Sequence, residues 1–336
     1  MVRVGVVGAL GYGGREFIRL LMAHPQAELT AAVYREGGTR LDEILPGFGK
    51  MTDIVLEAFD ATSLAQRCDV VFLAVPGTES MIMGAELHKA GVRFMDLGSD
   101  FRIKDVAAYK QYYGVEYSHP ELLDKAVYGH VPWHREALRN AAIVAVPGCF
   151  PISIITALKP LLDAAAPEVP VVINSVSGVS GAGRKANDVF HFPNMNENVR
   201  AYKIATHQHI PEIEQELDFK AQVQFTPHVA PVTRGILSTI VLRPSQSLDV
   251  AALYRCYDAE PFVRVLGAGK IPDLNQVRGS NFCDIGWVED VRTGNIVIVS
   301  VIDNLVGGTA GMGMQCMNVA FGLDERAGLR LPGMAP

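Results

Sequence analysis

Cys149 stands at a point in the chain where a thiol could be activated as a nucleophile. Residues 144–146, Val-Ala-Val, are followed by the turn Pro147-Gly148, and a helix can begin at Cys149. Free N–H groups and a partial positive charge at a helix N-terminus stabilise the thiolate, which is the reactive form of cysteine. Pro151 helps to hold the thiol on a sharp turn. These residue types suit a catalytic nucleophile; the alternative is a buried structural thiol.

A glycine-rich turn near the N-terminus is typical of dinucleotide binding. An apolar strand over residues 2–8 precedes it, and an amphipathic segment over residues 15–22 follows. Strand, glycine turn and helix in this order form the first unit of a dinucleotide-binding fold, although a plain glycine turn is the alternative. The spacing is Gly-x-x-Gly-x-x-Gly. The residues that we expect to contact the cofactor are Gly8, Leu10, Gly11, Tyr12, Gly13 and Gly14.

The next predicted strand, residues 29–34, indicates which cofactor is used. It ends Val33-Tyr34-Arg35, without the acidic residue that would bind the ribose hydroxyls of NAD. Arg35 could pair with a 2′-phosphate, so we predict NADP(H) rather than NAD(H). The alternative is that Arg35 is a solvated loop charge.

Composition and charge exclude several classes of protein. The 336 residues contain 49% hydrophobic and 20% charged residues, as in ordinary globular proteins, and suggest two domains of roughly 150 residues each. The net charge of −6 and the lack of basic runs argue against nucleic acid as a partner. No secretory signal and no apolar run of about 18 residues is visible, so we expect a cytoplasmic protein without a membrane partner.

The five cysteines are dispersed and form no CxxC pair, which argues against a disulfide scaffold, a zinc site or any other metal centre. Cys68, Cys256 and Cys316 lie in apolar, helix-like settings and are predicted to be small core residues. We expect Cys283 to be a structural thiol on a loop.

The elements that must position these residues alternate between strand and helix up to about residue 148. We predict strands near 2–7, 29–34, 69–75, 93–97 and 142–146, hence a mostly parallel sheet covered on both faces. Ligands bind at the carboxyl ends of such strands. The turn at residues 73–80 is where a nicotinamide would lie, and Arg102, after the fourth strand, is a candidate anion anchor or an ion-pair partner of Asp100.

From residue 149 the pattern changes to long β-rich runs, which predict an α+β second domain with a mixed sheet for catalysis and subunit contacts. The expected boundaries are 1–148 for a Rossmann-type NADP-binding domain and 149–306 for the second domain, with a helix at about 307–322 packing back on the first. We expect the active site in the cleft between the domains. The β runs also favour a homodimer or homotetramer.

Two motifs of the second domain add candidate site residues. Residues 175–185 contain small residues whose N–H groups could form an anion nest closed by Arg184 and Lys185, the alternative being a flexible loop. His207 and His209 precede a helix that Pro211 can begin. Since no third metal ligand accompanies them, either histidine is a candidate base for the cysteine, and Glu212 could orient one of them.

Together these motifs closely resemble the N-acetyl-γ-glutamyl-phosphate reductases, the NADPH-dependent family of arginine biosynthesis within the aspartate-semialdehyde dehydrogenase superfamily. The resemblance covers nearly the whole chain and is carried by Gly8–Gly14, Asp100-Phe101-Arg102, Pro147–Pro151, Ser177–Lys185, His207–Glu212, Arg234–Leu237 and Asp303-Asn304-Leu305. It implies that the nucleophile is Cys149 and that the catalytic histidine is His207 or His209.

The resemblance also extends the expected site. We expect the cofactor to contact Ser177, Gly178 and Gly181, and the substrate to contact Arg102, Arg184, Glu212 and Arg234. The sequence departs from the family pattern at Ile152, where threonine is usual, at Gly77, where histidine is usual, and at Gly98, where serine is common.

The implied activity is reduction of N-acetyl-γ-glutamyl phosphate to the 5-semialdehyde and phosphate through a Cys149 thioester. A sister acyl-phosphate reductase, such as aspartate-semialdehyde dehydrogenase or an aminoadipate-type reductase, is the nearest alternative. A non-catalytic NADP-binding regulatory module belongs to a different class, and Cys149 with the paired histidines argues against it. A cysteine hydrolase would leave the glycine turn unexplained.

Overall fold

The computed structural model describes residues 1–35 and 37–334, which form two compact units. The first unit consists of Met1–Pro147 with Thr309–Arg330, and the second of Gly148–Gly308 with residues 331–334. Among the described residues, no helix is both long and apolar enough to cross a membrane.

The strands are β1 (Val2–Val7), β2 (Ala27–Val33), β3 (Val70–Leu73), β4 (Arg93–Asp96), β5 (Ala126–Tyr128), β6 (Ile143–Ala145), β7 (Val171–Gly178), β8 (Arg200–Ala201), β9 (Val223–Ala230), β10 (Ile236–Leu242), β11 (Val263–Ala268), β12 (Cys283–Asp290) and β13 (Asn295–Ile302). The helices are α1 (Tyr12–Leu21), α2 (Leu41–Ile44), α3 (Ala61–Arg67), α4 (Glu79–Lys89), α5 (Val106–Tyr113), α6 (Val131–Leu138), α7 (Cys149–Ala164), α8 (Phe192–Met195), α9 (Ile210–Glu216), α10 (Val250–Tyr254) and α11 (Gly311–Ala320).

The first unit is built on a parallel sheet in the order β2-β1-β3-β4-β6-β5. All four residues of β3 are buried, as expected for a strand covered by helices on both faces. The chain places β2 on one side of β1 and β3 on the other, so a topological switch point lies between β1 and β3. Ligands bind at the carboxyl edge of such a point in open α/β sheets.

The α/β prediction for this unit is confirmed, with two differences in detail. The short edge strand β5 was not predicted, because three residues give too little periodicity to be recognised. The predicted helix near 307–322 is a π-helical turn, Val306–Ala310, followed by α11, which packs beside α1 and α6.

The second unit has a mixed sheet in the order β11-β12-β13-β10-β7-β9-β8, as predicted for its class. Helix α7 packs against β10 and β13 and is buried along most of its length. β11 and β12 were not predicted. β11 has no alternating burial and contains Gly267 at φ +99°, while β12 ends in the acidic pair Glu289-Asp290.

Buried hydroxyl groups tie α7 to this sheet. The Ser153 hydroxyl lies 3.0 Å from the Ser238 hydroxyl and 3.1 Å from the Ser300 hydroxyl, on the adjacent strands β10 and β13. The Ser238 hydroxyl also lies 2.8 Å from that of Ser175 on β7. All four serines are fully buried, so this serine network satisfies polar groups that would otherwise be costly inside the core.

The predicted locations of two cysteines are wrong. Cys256 is exposed rather than part of the core. Cys283 is the first residue of β12 rather than a loop residue, and burial raises the pKa of its thiol to about 12, as expected for an inert structural cysteine. Cys68 and Cys316 are buried, as predicted.

Candidate active site

The glycine turn after β1 is shaped by close backbone contacts. Gly8 has φ +85°, and a Cβ there would lie 2.3 Å from the carbonyl oxygen of Ala74, so only glycine fits. A Cβ at Gly14 would lie 2.4 Å from the Gly8 carbonyl oxygen, which shows how closely α1 packs on the turn. Gly11, at the N-cap, makes no side-chain cap hydrogen bond to the first turn of α1.

The side chains around this turn differ in exposure. Leu10 is buried and its carbonyl oxygen accepts a hydrogen bond from Arg15 Nε at 2.9 Å. Tyr12 is exposed, and Gly13 is half-buried, with the Thr309 methyl group 3.5 Å from the position of a Cβ. A glycine turn with an uncapped helix start fits a pyrophosphate, because N–H groups at a helix N-terminus bind anions.

Arg35 lies just beyond the carboxyl end of β2. Its side chain is 79% exposed and lies 3.4 Å from the Glu79 carboxylate. An exposed ion pair of this kind contributes little to stability, so the guanidinium could exchange Glu79 for another anion at small cost.

Arg102 is buried at the carboxyl edge of the same sheet. Its Nε donates to the Val146 carbonyl oxygen at 2.7 Å, and a terminal nitrogen donates to that of Leu97 at 3.1 Å. These bonds fix the guanidinium at the ends of β6 and β4. Asp96, buried nearby, has its pKa raised to about 7 by burial and by the charge of Asp100, an effect that Arg102 opposes.

In the second unit, Cys149 is the first residue of α7 and is half-buried. The N-cap residue Gly148 has no side chain and so makes no side-chain cap hydrogen bond to the first turn. A Cβ at Gly308 would lie 2.8 Å from the Cys149 Cβ, so the chain before α11 passes directly beside the nucleophile. The predicted helix start at Cys149 is confirmed.

Glu212 connects this helix start to the histidine segment. It is fully buried on α9, and its Oε1 accepts a hydrogen bond from the Gly148 N–H at 2.8 Å. The sequence suggested that Glu212 orients a histidine or contacts substrate; the structure shows it bound to the backbone beside Cys149.

His207 and His209 lie together against Phe150, the residue after Cys149. The two imidazoles are 4.7 Å apart, and Phe150 is 5.5 Å from His207 and 5.9 Å from His209, between ring centroids. The backbone N–H of His209 donates to Nδ1 of His207 at 3.1 Å, so the neutral His207 ring carries its proton on Nε2. Burial and the charge of Lys203 lower the pKa of His207 to about 3.

Tyr202 is a site residue that the sequence interpretation missed. Its ring lies 5.7 Å from that of His207. Burial raises the pKa of its hydroxyl, and a thiolate at Cys149 would raise this pKa further. The segment that carries it is strained, because Lys203 and Ala205 have φ +43° and +55°. No local sequence pattern marks this tyrosine.

The loop after β7 differs from its predicted form. The N–H groups of Gly178, Val179 and Ser180 donate to backbone carbonyls of residues 232–235. These three amides therefore cannot form the predicted anion nest. A Cβ at Gly178 would lie 2.8 Å from the backbone nitrogen of Arg234, so this glycine allows the two backbone segments to approach each other. Ser177 is buried, and Gly181 is exposed.

The basic residues of this unit lie in different surroundings. Arg184 is exposed, whereas Arg234 is partly buried with a terminal nitrogen 3.8 Å from the carboxylate of the fully buried Asp303. Asn304 accepts from the Gly235 N–H at 2.8 Å and donates to the Ser180 hydroxyl at 2.9 Å, so it holds the Arg234 segment against the loop.

Groups of three or more His, Cys, Asp or Glu side chains that could hold a metal ion do not occur among residues 1–35 and 37–334.

Comparisons with known proteins cover both units. Residues 3–141 match the family model "Semialdehyde dehydrogenase, NAD binding domain", and residues 149–304 match "Semialdehyde dehydrogenase, dimerisation domain". Among solved structures, aspartate semialdehyde dehydrogenase II of Vibrio cholerae, complexed with ASA, aligns with a TM-score of 0.73 and 17% identity, covering 96% of this chain and 98% of that one. The aspartate semialdehyde dehydrogenase of Candida albicans with NADP aligns with a TM-score of 0.72 and 18% identity, covering 95% and 98%. At these identities the likeness concerns the fold.

Two curated relatives are much more similar in sequence. The N-acetyl-gamma-glutamyl-phosphate reductase of Desulforudis audaxviator is 43% identical over 346 residues, covering 100% of both chains. That of Geobacillus stearothermophilus is 42% identical over 340 residues, covering 98% of both. Because these matches extend from end to end, the chain belongs to the N-acetyl-γ-glutamyl-phosphate reductase family.

Proposed function

We propose that this protein reduces N-acetyl-γ-glutamyl phosphate to the 5-semialdehyde and phosphate with NADPH, a step of arginine biosynthesis. The observation that carries the proposal is the thiol of Cys149 at the start of α7, with Glu212 holding the preceding amide, in a chain that belongs to this family. The glycine turn and the uncapped start of α1 fit the cofactor pyrophosphate, and Arg35 fits the 2′-phosphate.

The first step is attack by the Cys149 thiolate on the acyl carbon. A carbon–sulfur bond forms and the carbon–oxygen bond to phosphate breaks. Inorganic phosphate departs, and the acyl group remains on Cys149 as a thioester. The partial positive charge of the helix N-terminus favours the thiolate, and the Glu212 carboxylate at the Gly148 N–H offsets part of that charge. Bound NADPH supplies the hydride that reduces the thioester to the aldehyde level.

We assign the acid–base role to His209. The neutral His207 ring has its proton on Nε2, and its Nδ1 already accepts the His209 N–H. With a pKa near 3, His207 accepts no further proton at neutral pH. In the proposed mechanism His209 protonates the oxyanion and takes the proton back as the carbon–sulfur bond breaks, while His207 orients the segment. Such proton transfer contributes about 10²–10⁴-fold to the rate.

The substrate carries a carboxylate and a phosphate, and we propose Arg102, Arg184 and Arg234 as the cations that bind them. Asp303 supports Arg234. Ser177, Gly178 and Gly181 stay proposed as cofactor contacts. The functional division into an NADP-binding domain (1–148) and a catalytic, dimerisation domain (149–306) also stays a proposal, as do a homo-oligomeric state and a cytoplasmic location. The matched dimerisation-domain description supports self-association.

The thioester can be tested in the reverse direction. With N-acetylglutamate 5-semialdehyde and NADP⁺ but no phosphate, we expect about one NADPH per active site and an acyl adduct on the Cys149 peptide. Added phosphate should then start turnover. The Cys149→Ala variant should form neither NADPH nor the acyl adduct. The Cys256→Ala variant, which changes an exposed cysteine, should behave as the parent. Normal turnover by Cys149→Ala would refute the thioester route.

The same assay separates the sister reductases. Aspartate semialdehyde and an aminoadipate semialdehyde should be turned over at a much lower kcat/KM than the N-acetylglutamate compound. A higher kcat/KM for either would replace the proposed substrate but keep the mechanism.

A further inference from the structure

Asp100 is a buried carboxylate whose hydrogen bonds converge on the turn between β3 and α4. Its oxygens accept from the Thr78 N–H at 2.8 and 3.0 Å, from the Met81 N–H at 2.9 Å and from the Ser80 hydroxyl at 2.8 Å. The Tyr109 hydroxyl donates to the same carboxylate at 2.7 Å from the side of α5. Asp100 is fully buried, and each of these partners is a donor, which suits an ionised carboxylate.

The turn that Asp100 holds is strained. Thr78 has φ +77°, a left-handed conformation that a β-branched residue rarely adopts. Thr78 is the N-cap residue of α4, yet its own side chain makes no cap hydrogen bond. The carboxylate of Asp100, from a different loop, takes over that capping role. A Cβ at Gly77 would lie 2.7 Å from the Ser99 hydroxyl oxygen, so the two loops are in close contact.

This turn adjoins the glycine turn at the switch point of the sheet. It follows β3, the neighbour of β1, and a Cβ at Gly8 would lie 2.3 Å from the Ala74 carbonyl oxygen at its start. The two turns therefore form the two sides of the edge at which an open α/β sheet binds its ligand. The conformation of residues 76–81 consequently defines one wall of the proposed cofactor site.

We propose that Asp100 is a positioning residue for NADPH: it holds the strained turn at Thr78 in the conformation that the cofactor requires. The inference rests on the proposed function. It assigns Asp100 a task separate from that of its neighbour Arg102, which binds the Leu97 and Val146 carbonyls.

The test is direct binding of NADP⁺, measured by isothermal titration calorimetry, which does not depend on turnover. We expect Asp100→Ala to raise the Kd for NADP⁺ at least about tenfold, because the turn must then be ordered at the expense of binding. Asp100→Asn should lie between Asp100→Ala and the parent, since its amide oxygen can still accept from the turn. Amide hydrogen exchange at Thr78 and Met81 should accelerate in the same order.

Tyr109→Phe is the matched control, because it removes a hydrogen bond to the same carboxylate and keeps the aromatic ring, which lies in one core cluster with Met81. Its Kd should stay within about twofold of the parent value. A merely structural role for Asp100 would lower the melting temperature while the folded variant bound NADP⁺ with the parent Kd. That outcome would overturn the inference. Failure of the parent itself to bind NADP⁺ would instead overturn the proposed cofactor and this inference with it.

The double variant Asp100→Asn with Thr78→Gly tests the backbone strain at Thr78. It keeps the inference testable even if Asp100→Ala does not fold. Glycine adopts the left-handed conformation freely, so Thr78→Gly introduced into Asp100→Asn should recover part of the lost affinity. In the parent background, Thr78→Gly should not lower the melting temperature. If the double variant binds NADP⁺ no more tightly than Asp100→Asn, Asp100 does not act through Thr78.

Discussion

The Oε1 oxygen of Glu212 accepts a hydrogen bond from the N–H of Gly148 at 2.8 Å, which joins the residue before the nucleophile to the helix after the two histidines. Cys149 and His209 are thereby attached to a common buried carboxylate through short stretches of backbone. This arrangement supports a positioning role for Glu212, which we predict to affect both catalysis and stability.

We expect Glu212→Ala to lower kcat at least tenfold and to destabilise the fold by about 1–3 kcal/mol, because the buried Gly148 N–H loses its acceptor. Glu212→Gln should recover most of both, since its amide oxygen can still accept. Steady-state kinetics and urea unfolding measure the two effects. Glu216→Ala, on the same helix, is the control. Equal losses in the Ala and Gln variants would show that the charge of Glu212, and not its hydrogen bond, matters.

The two histidines should differ in their kinetic effects. We expect His209→Asn to lower kcat by about 10²-fold or more, because the proton donor is lost. His207→Gln should lower it by no more than about tenfold, since His207 contributes orientation. Stopped-flow and steady-state rates across a pH series test this, with the exposed His191→Asn as control. A larger loss in His207→Gln would reverse the assignment.

Arg35 should set the preference for the phosphorylated cofactor. We expect a lower KM for NADP⁺ than for NAD⁺ in the parent enzyme, and the reverse in Arg35→Asp, because a carboxylate repels the 2′-phosphate and can bind ribose hydroxyls. Arg326→Asp introduces the same charge change at another exposed arginine and should keep the parent preference. Equal KM values for the two cofactors in the parent would remove the role of Arg35.

His207 should also make stability depend on pH. Its pKa is about 3 when folded and about 6.5 when unfolded, so the unfolded chain binds an extra proton between these values. Acidification from pH 6.5 towards 3 therefore destabilises the fold, by at most about 1.4 kcal/mol per pH unit from this group. When the free energy of unfolding in urea is measured across this pH range, it should depend less steeply on pH in His207→Gln than in the parent. In His191→Gln it should depend on pH as in the parent. An unchanged slope in His207→Gln would mean that the ring is not buried as a neutral group.

Features encoded by neighbouring residues were predictable from the sequence. The strand, glycine turn and helix of residues 2–22, and the helix start at Cys149, follow from local spacing and turn chemistry. The contacts of Asp100 with Thr78, and of Glu212 with Gly148, join residues that are 22 and 64 positions apart. No local pattern reports such pairings, because topology alone decides them.

The errors have similar physical origins. Cys256 sits in an apolar segment, but it lies on the outward side of a short helical turn, which composition does not reveal. In the predicted anion nest of residues 175–185, the N–H groups of Gly178, Val179 and Ser180 donate instead to carbonyls of residues 232–235, a segment more than fifty positions away.

The serine network has a consequence for the direction in which the sulfur points. A helix held only by apolar side chains can rotate slightly about its axis, because van der Waals contacts are not directional. Ser153 lies one turn beyond Cys149, and its hydroxyl bridges two neighbouring strands. Any rotation of α7 would break these directional bonds, so the orientation of the nucleophile is set by hydroxyls that are fully buried in the core.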